Sequence, residues 1–220
     1  DSGLLVQGTY GNSEALGIEG AGTRSFFYPG KASFRAGRVT GTQWDDESIG
    51  NYSVAMGLDS IASGNASFVG GGANNTALGD YAVIPGGFNN EANGDYSFAA
   101  GYYAGANHDG TFVFSDASVS ENRFESTAQN QFLVRAYGGV GINTNQTDNS
   151  SLTILRDLSY GNIMTLSSSD ADGSNESDKF IVSSYGAVGL GYDNLPQEEG
   201  IFVNGFPVTT PGSLNAADKL

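Results

Sequence analysis

Two acidic clusters and one histidine are the residues of this 220-residue chain best suited to chemistry. "DDES" carries Asp45 and Asp46, and "DADGSNESD" carries Asp170, Asp172, Glu176 and Asp178. Paired carboxylates hydrolyse glycosides when a rigid frame holds them at a fixed separation. Asp45 and Asp46 are therefore the candidates for a glycan depolymerase. Both clusters lie in polar, turn-rich stretches, which suits solvated acids better than a rigid catalytic pair. The second cluster offers Asp170, Asp172 and Asp178 as oxygen ligands with a glycine in the turn, as a Ca²⁺ ion takes them, but it is out of EF-hand register. His108 is the only histidine, so a Ser-His-Asp triad or a histidine metal site would rest on one residue. "GGVGIN" and "GAVGLG" lack the spacing of a dinucleotide fingerprint, and there is no phosphate loop. The expectation is a chain without catalytic, cofactor or metal-binding residues, and hence no enzyme.

Composition narrows the class further. Glycine supplies 33 residues and charged residues only 15%, a profile of thin β structure with close backbone approach. The net charge of -15 repels phosphate backbones and anionic lipid surfaces, so no nucleic-acid or membrane partner is expected. There is no cysteine, which removes disulfides, thiolate zinc sites and thiol catalysis and is compatible with secretion. No apolar run is long enough to span a bilayer. The chain opens without a basic-plus-apolar segment, so it is expected to be a processed or excised piece. Asn-x-Ser/Thr sequons at Asn51, Asn65, Asn74, Asn145, Asn149 and Asn175 are expected by chance in so Asn-, Ser- and Thr-rich a chain.

The elements that would have to position any site are repeats. Units start at Gly50, Gly64, Gly79, Gly94 and His108, with spacings of 14, 15, 15 and 14. Three residues after each start stand Ser53, Ser67, Ala82, Ser97 and Thr111. Then come the pairs Val54-Ala55, Phe68-Val69, Val83-Ile84, Phe98-Ala99 and Phe112-Val113, the candidate repeat core. Gly57, Gly71, Gly86, Gly101 and Ser115 follow, and a small-residue station at Ala62, Ala77, Ala92 and Ala106. So short a unit suits one coil of a solenoid with two short strands and two tight turns. Asn65, Asn74-Asn75, Asn89-Asn90 and Gly94-Asp95 supply residues that accept positive φ or cap themselves. Adjacent side chains of a strand point to opposite faces, yet both members of every pair are apolar. Such strands need burial on both sides. One face fills the inside of a coil, and the other is most simply covered by further copies of the chain, which also removes exposed edges. A homotrimer is the expectation.

The units "GNYSVAMGLDSIAS" and "GDYSFAAGYYAGAN" resemble the YadA-like head repeats of trimeric autotransporter adhesins, over about residues 50 to 118. The resemblance implies an all-β, left-handed parallel β-roll (a solenoid) in an intertwined homotrimer, flanked by irregular trimeric β segments. It also implies a non-catalytic, extracellular fibre segment, on a cell surface or a virion fibre, that mediates adhesion by binding a glycan or a host cell-surface protein. Pro85, Gly70 and His108 depart from the pattern. The other functional readings are a tailspike-like glycan depolymerase and a purely structural spacer.

Residues 1–49 form an N-terminal cap or connector. There "GAGTRSFFYPGKASFRAGRV" reads as two strands around the Pro29-Gly30 turn. Arg24, Arg35 and Arg38 cluster beside aromatics and are expected to pair with the surplus acids or cap the end of the trimer, a sugar- or anion-binding patch being the alternative. Residues 119–220 form a third region with a second repeat. "FLVRAYGGVGINTN" from Phe132 returns as "FIVSSYGAVGLGYD" from Phe180, 48 residues on, and it is similar to stalk segments of tail fibres and adhesins. Tyr52, Tyr81, Tyr96, Tyr102 and Tyr103 fall in turns, where they either meet a ligand or stack between coils.

Overall fold

The computed structural model describes residues 3, 5–11, 16–118, 122–142, 144, 152–154, 162–168, 177–183, 187–190 and 200–203. The chain divides into two compact units, Asp1–Tyr137 and Gly138–Leu220. Among the described residues the structure is β with two single 3-10 turns, Pro29–Lys31 and Asp46–Ser48, and no α-helix.

The first unit contains β1 (Gly22–Tyr28), β2 (Ser33–Val39), β3 (Val54–Leu58), β4 (Ile61–Ala62), β5 (Phe68–Val69), β6 (Thr76–Ala77) and β7 (Val83–Ile84). It continues with β8 (Gly87–Phe88), β9 (Glu91–Ala92), β10 (Phe98–Tyr102), β11 (Ala104–Ala106), β12 (Phe112–Ser115), β13 (Phe124–Glu125) and β14 (Phe132–Arg135). β1 and β2 form the antiparallel pair expected around Pro29-Gly30, joined through the 3-10 turn. From β2 onward a long sheet runs β2-β3-β5-β7-β10-β12-β14, each neighbour parallel to the last, with β8 also beside β10. A second, all-parallel sheet runs β4-β6-β9-β11-β13. The chain alternates between the two sheets, crossing each once per repeat.

The expected borders at 49/50 and 118/119 are not breaks in this unit. β2 continues directly into the repeats through the Phe34↔Val54 register, and β14 extends them through Phe112↔Phe132. Backbone pairing does not require the 14-residue period, so a hairpin before it and a longer excursion after it both join the ladder.

The core lies between the sheets and is thin. Ala55, Val69, Ile84, Ala99 and Val113 from the long sheet meet Ala62, Ala77, Ala92 and Ala106 from the short one, all fully buried. Alanine on one wall is what lets valine or isoleucine fit on the other; burying each such larger side chain contributes about 1.5–3 kcal/mol. The glycine that starts each unit is dictated by close approach. A Cβ on Gly64 would lie 2.0 Å from the carbonyl oxygen of Gly79, and one on Gly79 would lie 2.0 Å from that of Gly94. In the first two units serine three residues later caps the same turn: Ser53 Oγ donates to Gly50 O at 2.6 Å and Ser67 Oγ to Gly64 O at 2.7 Å. Thr111 does the same for His108.

Buried polar groups close the interior. Asn75 and Asn90, both fully buried, form an amide ladder. Asn90 Nδ2 donates to Asn75 Oδ1 at 3.1 Å, and their other N–H bonds go to the carbonyls of Gly71, Gly87, Gly86 and Gly101. At the N-terminal end Arg35 stands in the inward position beside Ala55. It donates to the carbonyls of Phe34, Ser53 and Ala62 and to Ser53 Oγ. Trp44, also fully buried, donates Nε1–H to Ser60 O at 2.9 Å.

In the second unit β15 (Val140–Ile142) pairs in parallel with β16 (Leu152–Ile154). β17 (Asn162–Ser168), β18 (Ser177–Ser183), β19 (Ala187–Leu190) and β20 (Gly200–Val203) form a four-stranded sheet in that order, with only the last pair parallel. The 48-residue repeat is thus half-kept. Val140 and Gly141 pair with Leu152 and Thr153, as Val188 and Gly189 pair with Ile201 and Phe202. The halves before them differ: Phe132 ends the long parallel sheet, whereas Phe180 lies in an antiparallel strand.

Candidate functional site

Three lengthwise columns of side chains decorate the outside of the first unit. The first is the outward member of each apolar pair. Within a pair the second residue is fully buried, at Ala55, Val69, Ile84, Ala99 and Val113, and the first points out. In register these outward residues are Phe34, Val54, Phe68, Val83, Phe98, Phe112 and Phe132. Phe98 and Phe112 stack at 4.6 Å, and Phe112 and Phe132 at 4.7 Å. Phe34 and Phe68 remain 37% exposed and Phe132 73%. Two residues on stand Ala36, Met56, Gly70, Pro85, Ala100, Phe114 and Val134. Six strand spacings make this face about 29 Å long.

The second column is the turn that enters the long sheet. Tyr52, Tyr81 and Tyr96 project there from a left-handed backbone, with φ of 58°, 59° and 57°, a conformation unfavourable for a bulky residue. The expected positive φ at Asn65 falls instead on Ala66 (φ 52°), and that at Gly94-Asp95 on Tyr96. The residue in the left-handed position must donate its N–H to the preceding repeat, as Tyr81 does to Asn65 O and Tyr96 to Asp80 O, both at 2.8 Å. Asn65 and the aspartates are left to bond along the column. Asn65 N and Nδ2 donate to Asp80 Oδ1 at 2.8 and 3.1 Å, Asp80 N to Asp95 Oδ1 at 2.9 Å, and Asp95 N to Asp109 Oδ1 at 2.9 Å. Hydrogen bonds from the Asn65 side chain and backbone hold the Asp80 carboxyl below the usual aspartate range. Asn74 and Asn89, on the opposite turn, do take the expected positive φ.

The third column is aromatic too. Phe88 stacks on Tyr102 at 5.6 Å, Tyr102 meets Tyr103 at 4.7 Å, and the Arg123 guanidinium lies 5.7 Å from the Tyr103 ring. Arg123 is held there by Glu91 at 2.8 Å and by the carbonyl of Asn89.

The residues singled out for chemistry are engaged in scaffolding. Asp45 Oδ1 accepts the Gly20 N–H at 2.6 Å, and Asp46 Oδ2 lies 3.5 Å from Lys31 Nζ. Burial and then a hydrogen bond to Asp46 push the Tyr28 hydroxyl above its usual range. The two carboxylates therefore serve different partners. His108 Nδ1 bonds Ser126 Oγ at 2.9 Å. A side chain is tolerated at that glycine station because the next passage through the long sheet, at Phe132, comes 20 residues after Phe112. Of the arginines, Arg24 lies 6.0 Å from the Phe26 ring and 5.7 Å from that of Trp44. Arg38 pairs in register with Leu58. Burial alone lowers the Arg35 guanidinium to about 10; its partners are carbonyls and the Ser53 hydroxyl rather than the acids expected. An arginine at an inward position has no alternating-pattern signal, so sequence reasoning missed it. Asp170, Asp172 and Glu176 lie outside the described residues, and Asp178 is described only as a backbone position opposite Ser167. Among the described residues no group of three or more His, Cys, Asp or Glu is placed to hold a metal ion, and no helix is long and apolar enough to cross a membrane.

Compared with known protein families, with curated proteins and with solved structures, the chain matches none.

Proposed function

We propose that the first unit is a left-handed parallel β-roll that assembles as a homotrimer and serves as an extracellular adhesive fibre segment, on a cell surface or a virion. One observation carries the reading: the outward face of the long sheet is an unbroken apolar ladder from Phe34 to Phe132, while the core is already complete behind it. In a monomer Phe34, Phe68 and Phe132 of that ladder stay in water, whereas a threefold assembly buries it and stiffens the rod. Trimerisation then presents three copies of the exposed tyrosine columns, so that individually weak contacts to a glycan or a cell-surface protein add as avidity. The second unit is β structure as well.

Light scattering tests the assembly. A trimer has three times the 22.8 kDa of the chain, and a monodisperse monomer sinks the reading. Adherence of the trimer to cells, lost when it is made monomeric, tests the adhesive role.

A further inference from the structure

The tyrosine column has one rung between two tyrosines left open. Tyr52, Ala66, Tyr81, Tyr96, Gly110 and Asn130 occupy the same turn position. All have φ between 52° and 66°, and each N–H donates to a carbonyl of the preceding passage, at 2.7 to 2.9 Å. Glycine and asparagine take this backbone most readily, and the column uses them at Gly110 and Asn130. Three tyrosines held here, 53% to 69% exposed, are maintained against the local preference. Tyr81 and Tyr96, one rung apart, stack at 5.1 Å with planes 6° apart. Tyr52 and Tyr81 are two rungs apart, so their rings stand about 10 Å from each other, with the half-buried Ala66 methyl between them. That spacing admits one more ring. A ring does fill such a place at the other side of Tyr52. There Ala32 repeats the left-handed turn (φ 49°), and Tyr10, from a segment bonded through Gly11 N–H to Gly30 O, stacks on Tyr52 at 5.1 Å. The rim of the Ala66 gap is polar. Asn51 Nδ2 donates to Asn65 Oδ1 at 3.3 Å, and Asn65 Nδ2 donates to both Asp80 oxygens at 3.1 Å. This leaves acceptor capacity on Asp80 facing solvent.

We propose that the gap formed by Tyr52, Ala66 and Tyr81 is a binding slot for one pyranose ring of the all-equatorial β-glucoside type. This deepens the adhesive reading above and rests on it. An all-equatorial pyranose presents C–H groups on both faces, matching two opposed tyrosine rings, and hydroxyls around its edge, matching Asn51, Asn65 and Asp80. An axial hydroxyl, as in a galactoside, spoils one face. A partner protein's aromatic side chain would fill the gap but leave the carboxylate rim unused.

The test is titration of the full chain with methyl β-D-glucopyranoside, followed by saturation-transfer NMR and calorimetry, with the methyl β-galactoside and N-acetyl-tyrosinamide as competitors. The expected Kd is on the order of 1 mM for a ligand of this size. Ala66→Tyr fills the rung, keeps the circular dichroism of the parent and weakens binding at least about tenfold; Tyr81→Ala removes one wall and does the same. Unchanged binding in both variants overturns the slot. So does equal affinity for the galactoside, tighter binding of the tyrosinamide, or no saturation at roughly tenfold the expected Kd. Undiminished cell adherence by an Ala66→Tyr trimer that binds no glucoside would overturn the slot's part in adhesion while leaving the adhesive reading in place.

Discussion

The two sheets of the first unit share one core and one glycine scaffold but differ on their outward faces. The long sheet shows Phe34, Val54, Phe68, Val83, Phe98, Phe112 and Phe132 to the outside. The short sheet has Ile61, Thr76, Glu91, Gly105 and Glu125 in the same register position of successive strands, Gly105 being buried beneath Arg123. Inward, both walls are small and apolar, and fully buried. Folding of a repeat is thus assigned to the inner residues and to the glycines that let backbones approach. The outer residues are free to differ, and they do so by sheet. An apolar ladder on one side and Glu91, Glu125 and Thr76 on the other is the distribution expected of a unit with a partner on one face and water on the other.

Four measurements break or sharpen this contrast. The largest effect is expected from Gly64→Ala, which acts on what both faces share. Its Cβ has backbone carbonyls of Gly79 and Leu78 within 2.0 and 2.7 Å, so the rung must open. A loss of at least about 4 kcal/mol is expected, read as a fall of roughly 10 °C or more in Tm. Ile84→Ala, inside the core, should cost about 2–5 kcal/mol by the cavity it leaves against the alanine wall, with denaturant unfolding as the measure. Phe68→Asp tests the difference itself. It should change monomer stability by only about 1 kcal/mol yet shift the chain from trimer to monomer in light scattering. Thr76→Ala on the other sheet should do neither. If Phe68→Asp and Thr76→Ala behave alike, the contrast has no functional meaning. The smallest effect concerns the exposed carboxylate column. Asp80 titrates below the ordinary aspartate value of about 3.9, so its bonds to Asn65 contribute above that pH and are lost as pH falls through the depressed value. In Asn65→Ala the Asp80 carboxyl carbon should titrate at higher pH by NMR.

Much of this was legible before any coordinates. The pairing of residues 14 or 15 apart, the glycine stations, the recurrent serine position and the Pro29-Gly30 hairpin follow from residue types alone. Asp45, Asp46 and His108 stood out by residue type, but their partners Gly20, Lys31 and Ser126 lie 15 to 25 residues away in the chain. Periodicity carries no information about such meetings. The column of tyrosines at positive φ was hidden for a related reason: residue preference pointed to asparagine and glycine, and inter-repeat hydrogen bonding moved the strained position one residue onward.

By itself, then, the sequence determined the period, the strands and the need for glycine where one backbone crosses another. Each is a local or strictly repeated requirement, set by sterics and alternation. The tertiary structure alone decided which member of each apolar pair turns inward, because alternation is indifferent to face until a second sheet of alanines stands opposite. It also decided that Arg35 would end the core, where the carbonyls of Ser53 and Ala62 converge on one inward position and take its N–H groups as second donors. And it decided that Ala66 would lie between two tyrosine rings, because stacking one passage on the next brings residues 52, 66 and 81 into a single line.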